Sequence, residues 1–215
     1  MGRAKIKRGS TNIDMTAMCD VAFLLLSFFI LTTKFKPAEA VEVTPPSSVS
    51  NKAAPQNDAF TVSLNKDGKI FITMTDEMKE GVIKELAAAR NITMSPDDIK
   101  YFKQSTFIGT PISQLNQFDR LQPEQLHNIT LVGVPADSSN NELQAWITAS
   151  IKANEGKPIH FLIKGDNNAK YPAFKDIITA FKKNDIYKYQ LITNVAGVPE
   201  GTALWENNQK GAANN

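Results

Sequence analysis

The chain has 215 residues and a formal net charge of +2. That leaves room for one ordinary domain with flanking segments, and no bulk charge marks it as a nucleic-acid binder. Its single cysteine, Cys19, excludes an internal disulfide framework and a cysteine-based zinc site. His127 and His160 stand far apart in sequence and read as ordinary surface or strand residues, not as ligands or bases.

The charge that matters lies at the start. Arg3, Lys5, Lys7 and Arg8 precede an apolar run, Met15 to Thr33, whose nineteen residues include one charged side chain, Asp20. This approaches the ~20 residues that cross ~30 Å of hydrocarbon. A helix of a soluble protein would show a charged face, whereas this one offers mostly Thr, Ser and Asp. A cleaved signal peptide would end in a small-x-small site. Ala38-Glu39-Ala40 supplies one, but Lys34 and Lys36 interrupt the approach to it. A transmembrane helix over 15–33 fits best. Residues 1–14 then form a cytoplasmic basic tail, and the rest of the chain is exported.

Asp20 is the anomaly of that helix. An intramembrane carboxylate costs ~2.5–3.5 kcal/mol on insertion scales. At about 100° per residue, Thr16 and Ser27 fall within roughly 40° of it, so the acid belongs to a narrow polar stripe. Two readings stand. Asp20 loads and releases a proton under the cover of a partner helix, or it is a helix-end residue that snorkels to the cytoplasmic headgroups.

Residues 34–58 are rich in Pro, Ser, Ala and Asn and read as a flexible linker. Within them "VEVTPPSS" alternates apolar and polar before Pro45 and Pro46, a pattern that can pair as a short edge strand. Residues 59–195 read as a folded domain. Phe60–Asn65 and Lys69–Thr73 flank Asp67-Gly68 as a hairpin. Asp76 is placed to cap a helix to about Arg90, and Ser95-Pro96-Asp97-Asp98 opens another that ends near Gln104. Residues 106–126 give no clear period. "NITLVGVP" reads as a strand, and Ser138 or Ser139 starts a helix carrying Leu143, Trp146, Ile147 and Ile151. "PIHFLIKGD" is a strand, "YPAFKDIITAFKKN" a helix and "IYKYQLIT" the closing strand. The fold class is a single transmembrane helix plus an α+β domain with its helices packed on one sheet. Residues 196–215 read as a disordered tail.

The domain offers no Gly-rich phosphate loop, no nucleophile elbow and no metal-spaced cluster, so neither an enzyme activity nor a cofactor is expected. Asp97 and Asp98 are helix N-terminal charge. Trp146 and Trp205 are core and tail residues rather than ligand stacks.

"IDMTAMCDVAFLLLSFFILTT" resembles the signature of the ExbD/TolR family, the small subunits of proton-driven inner-membrane motors. Ile13, Thr16, Asp20 and Val21 match the family pattern, whereas Asp14 stands where Asn is common and Ala17 where Pro is common. Gly165-Asp166 and Tyr171, within 158–193, are similar to the C-terminal half of the family's periplasmic domains, and about 84–156 looks like an insertion. The resemblance implies that Asp20 carries protons, with Thr16 and Ser27 as hydrogen-bond partners. It implies a homodimer inside a pentameric ring of ExbB/TolQ-like subunits in the bacterial inner membrane. It further implies a TonB-like or TolA-like periplasmic partner, contacted through Val41, Val43, Pro45 and Pro46. The function expected from it is energy transduction to TonB-dependent transport, with a TolR-like role in outer-membrane maintenance as one alternative. The others are a membrane-anchored binding module for peptide or cell wall, in which Asp20 is incidental, and a secreted enzyme cleaved after Ala40.

Overall fold

The computed structural model describes residues 15–32, 41–50, 52–118, 131–137, 140–203 and 205. The chain divides into two compact units, Met1–Ala38 and Glu39–Asn215. The first contains one helix, α1, Met15–Thr32. The basic residues Arg3, Lys5, Lys7 and Arg8 lie outside the described residues.

The second unit opens with β1 (Ser47–Ser48), β2 (Ala59–Leu64) and β3 (Ile70–Met74). The helices α2 (Asp76–Arg90) and α3 (Pro96–Gln104) follow, then a 3-10 turn at Ile112–Gln114, α4 (Leu115–Phe118) and α5 (Glu142–Ala153). It closes with β4 (His160–Gly165), α6 (Tyr171–Lys183), β5 (Gln190–Leu191) and β6 (Asn194–Val195). The main sheet has the order β3-β2-β4-β5. The β2–β3 pair is the expected hairpin and is antiparallel; β4 joins β2 in parallel and β5 joins β4 in parallel. The small strands β1 and β6 form a separate parallel pair.

Local chemistry accounts for the elements. In the hairpin, the Asn65 side chain accepts the amides of Asp67 at 3.0 Å and Lys69 at 2.8 Å, while Gly68 takes φ +82°. Ser95 and Asp98 make a complete capping box at the start of α3. Strand side chains alternate between faces. Phe60, Val62, Leu64, Ile70, Ile72, Phe161 and Ile163 therefore meet the inward faces of α2, α5 and α6 in one core, with Leu86, Trp146 and Phe181 among the helical residues buried there. Phe102 of α3 stacks on Trp146 with ring centroids 5.8 Å apart and planes 8° from parallel.

Four expectations about local structure need correction. Thr75, not Asp76, is the N-cap of α2, and Asp76 is its first helical residue, adding charge rather than a cap. Asn141 caps α5 by accepting the Gln144 amide at 2.8 Å; Ser138 and Ser139 lie outside the described residues. The strand expected in "NITLVGVP" is not formed over 131–135. Gly133, at φ +90°, turns the chain, and beyond it the Val134 amide donates to Ile70 O at 2.8 Å. The closing strand expected over 186–193 is shorter than its pattern, Gln190–Leu191. Gln190–Leu191 pairs with β4, and the chain then leaves to pair Asn194–Val195 with β1.

Candidate functional site

Every residue of α1 is exposed or half-exposed within this chain. Phe23, Leu24 and Ile30 are 65–70 % exposed and Leu31 is 86 % exposed. Eighteen residues of this composition are long and apolar enough to cross a membrane. Asp20 lies one turn beyond the helix start, past the reach of an N-cap position. The hydroxyls of this helix satisfy themselves locally where their bonds are resolved. Ser27 Oγ donates to Leu24 O at 2.9 Å and Thr32 Oγ1 to Phe28 O at 2.8 Å. Ser27 is two turns from Asp20, about 10 Å along the axis, so the two share a stripe without touching. Thr16 is one turn away on the same face.

The second cluster of sequence-expected residues lies on the domain. Part of the stretch expected as a tether runs against the sheet. Val41 packs against Phe71 and Phe107, and Val43 is 6 % exposed. Phe71 occupies the face of β3 opposite the helices, since Ile70 and Ile72 point into the helix-covered core. Thr44 is bonded on both sides: its amide donates to Asp166 Oδ2 at 2.9 Å and its carbonyl accepts from Asn167 N at 2.9 Å. Pro45 O accepts Asn194 Nδ2 at 3.1 Å, and Pro46 O accepts Asn194 N at 3.0 Å. Ser48 O then accepts Ala196 N at 2.8 Å. The short strand expected near Val41–Thr44 thus forms later, at Ser47–Ser48. Pro45 and Pro46 have no N–H to give to a ladder, so the paired residues begin only after them.

Beside Pro46 a groove of about 310 Å³ opens at the carboxyl ends of β2, β4 and β5, walled by Leu64, Ile163, Asp166, Tyr171, Phe174 and Leu191. The Asp166 carboxyl is held below its ordinary range, first by the Thr44 amide and then by the Asn168 amide. Asp166, Asn194, Phe71 and Phe107 were not singled out from sequence as linker contacts. Asp166 had a weak signal, since an Asp-Asn pair after a strand favours a side-chain-capped turn. Asn194 and the two phenylalanines had none. His160 is exposed at the start of β4, and His127 lies outside the described residues. Among the described residues no three metal-binding side chains cluster. Trp146 is buried in the core and Trp205 is partly exposed in the tail.

An exposed apolar helix joined to an α+β domain with a docked N-terminal strap defines a single-helix membrane-associated protein. The chain belongs to the ExbD/TolR family: the family model described as "Biopolymer transport protein ExbD/TolR" matches residues 7–195. It is similar to the biopolymer transport protein exbD2 of Vibrio cholerae serotype O1, with 27% identity over 119 residues, covering 54% of this chain and 86% of that protein. No solved structure matches it significantly.

Proposed function

We propose that this chain is an ExbD-like subunit of an energy-transducing complex and uses the proton motive force to drive TonB-dependent transport across an outer membrane. One observation carries the reading: Asp20 stands on an otherwise uncharged eighteen-residue helix whose apolar side chains are exposed throughout. Lipid penalises that carboxylate, so the helix needs a protein neighbour there, and a multi-helix ExbB/TolQ-like ring supplies one. Moving one charge through the membrane field releases ~2.3 kcal/mol per 100 mV, enough to bias a mechanical state of the helix.

In this reading α1 spans the inner membrane with residues 1–14 in the cytoplasm, oriented by Arg3, Lys5, Lys7 and Arg8. Two copies sit in a pentameric ring. Thr16 assists Asp20 from one turn away, and Ser27 extends the polar stripe. Val41, Val43, Pro45 and Pro46 form the linker motif that meets a TonB-like or TolA-like partner in the periplasm. Support for that last role comes from the main-chain bonding of the linker, because an extended partner segment can make the same bonds.

Asp20→Asn keeps size and polarity and removes titration. The expected result is assembly with the ring at normal levels and loss of energised uptake. Energised uptake and outer-membrane integrity that both survive Asp20→Asn overturn the motor and leave the membrane-anchored binding module. Loss of outer-membrane integrity without loss of uptake points to the TolR-like role.

A further inference from the structure

The segment between α2 and α5 does more than connect them. Ile108 forms an antiparallel bridge with Ile72, through reciprocal bonds of 2.9 and 2.8 Å. Val134 bonds Ile70, and Gly133 donates to Gly109 O at 2.9 Å. Lys69 Nζ holds Leu131 O at 2.7 Å. These contacts close the β3 edge of the sheet and also place two side chains beyond it. Phe107 meets Phe71 edge to face, with centroids 6.1 Å apart, and Leu131 packs on the same pair. Gly109 is the floor of this cluster, since a Cβ there would stand 2.8 Å from the Phe71 ring and 3.0 Å from the Phe107 ring. Val41 packs against the cluster.

We propose that Phe107 and Leu131, with Phe71, form a seat for Val41 through which the segment between α2 and α5 holds the linker docked on the domain. The seat lies upstream of the Asp166–Thr44 bond and the β1–β6 pair, so the linker is fixed at three successive points. The main-chain bonds at the last two accept any extended segment, whereas the apolar seat selects for the side chain at position 41. The seat therefore supplies the specificity for this chain's own linker over a competing strand. Docking also sets reach. With Val41 seated, residues 33–40 join α1 to the domain and span at most about 28 Å; with the linker released, residues 33–58 span at most about 90 Å. The inference rests on the reading of the linker as the segment that meets a periplasmic partner.

The test is amide exchange on the purified full-length protein in detergent, with no gradient present, so that the outcome is independent of the Asp20→Asn result. Docking protects the amides of Thr44, Asn167, Asn194 and Ala196, each of which bonds across the linker contact. Val41→Asp changes only the linker side, and Leu131→Ala changes only the seat. Both are expected to speed exchange at those four amides by roughly tenfold, the scale of one half-buried aliphatic contact, with the amides of β2 unchanged. If either variant leaves the four amides as slow as in the parent, the seat does not hold the linker. Phe107→Ala should match Leu131→Ala wherever the variant folds.

Discussion

Asp166 Oδ2 accepts the amide of Thr44 at 2.9 Å, across 122 positions of sequence. The neighbouring amide of Asn167 donates to the carbonyl of the same residue at 2.9 Å. Thr44 is thus held as a strand residue would be, with a carboxylate standing in for one carbonyl of the ladder.

That substitution makes the contact acid-sensitive. The Asp166 pKa is lowered in the docked state by the Thr44 and Asn168 amides, relative to an ordinary value of 3.8. A lowered pKa means the carboxylate favours docking at every pH above the free value and loses that contribution as pH falls through the docked value. Divided by the intrinsic amide rate at each pH, linker exchange should therefore be flat around neutrality and rise below pH 3.8. In Asp166→Asn the acid-induced rise should vanish, and one of the two amide bonds should be lost, because the amide has a single acceptor oxygen. Exchange of Thr44 measured against pH in both proteins checks this.

Trp146 is fully buried, yet its Nε1 has no hydrogen-bond partner among the described residues. The indole N–H therefore contributes nothing that offsets its desolvation. Trp146→Ala should cost ~3–5 kcal/mol through the cavity beside Phe102. Trp146→Phe keeps an aromatic ring for the stack and removes the orphan donor, so its cost should be well under half of that. Urea unfolding of the two variants separates them.

Lys79 is a buried cation that works as a cap. Its Nζ donates to Lys103 O at 3.1 Å and Ser105 O at 2.6 Å, joining α2 to the end of α3. Its ion pair with Asp76, at 2.7 Å, involves a carboxylate that is 81 % exposed. Lys79→Met should cost ~1–3 kcal/mol, because two carbonyls lose their donor. Asp76→Asn should cost under ~1 kcal/mol, since an exposed partner is screened by water. Thermal unfolding should rank them in that order.

Gly109 has no room for a methyl group. Gly109→Ala brings a Cβ against the Phe71 and Phe107 rings and should destabilise the domain by ~1–3 kcal/mol. Gly197, with open space around it, should accept alanine at little cost. A comparison of midpoints in denaturant decides between the two.

Some elements were readable because their signals are local. The hairpin follows from alternation around Asp67-Gly68, and α3 from Ser95 and Asp98 closing a capping box within four residues. The helix α6 follows from Phe174, Ile177, Ile178 and Phe181 on one face. Other elements were misjudged where distant partners decide. "NITLVGVP" has strand composition, but the β3 edge it approaches is already bridged by Ile108 to Ile72. "IYKYQLIT" has the alternation of one strand, but only Gln190–Leu191 of it pairs with β4, and the next strand, Asn194–Val195, pairs with β1.

The sequence by itself determined that α1 is a membrane-length helix carrying one acid, because continuous hydrophobicity and a single carboxylate are properties of adjacent residues. Only the tertiary structure decided that the linker lies on the domain, and that Asp166, Asn194, Phe71 and Phe107 hold it there. Main-chain hydrogen bonds leave no mark on composition, and a seat assembled from Phe71, Phe107 and Leu131 exists only once the sheet has brought them together.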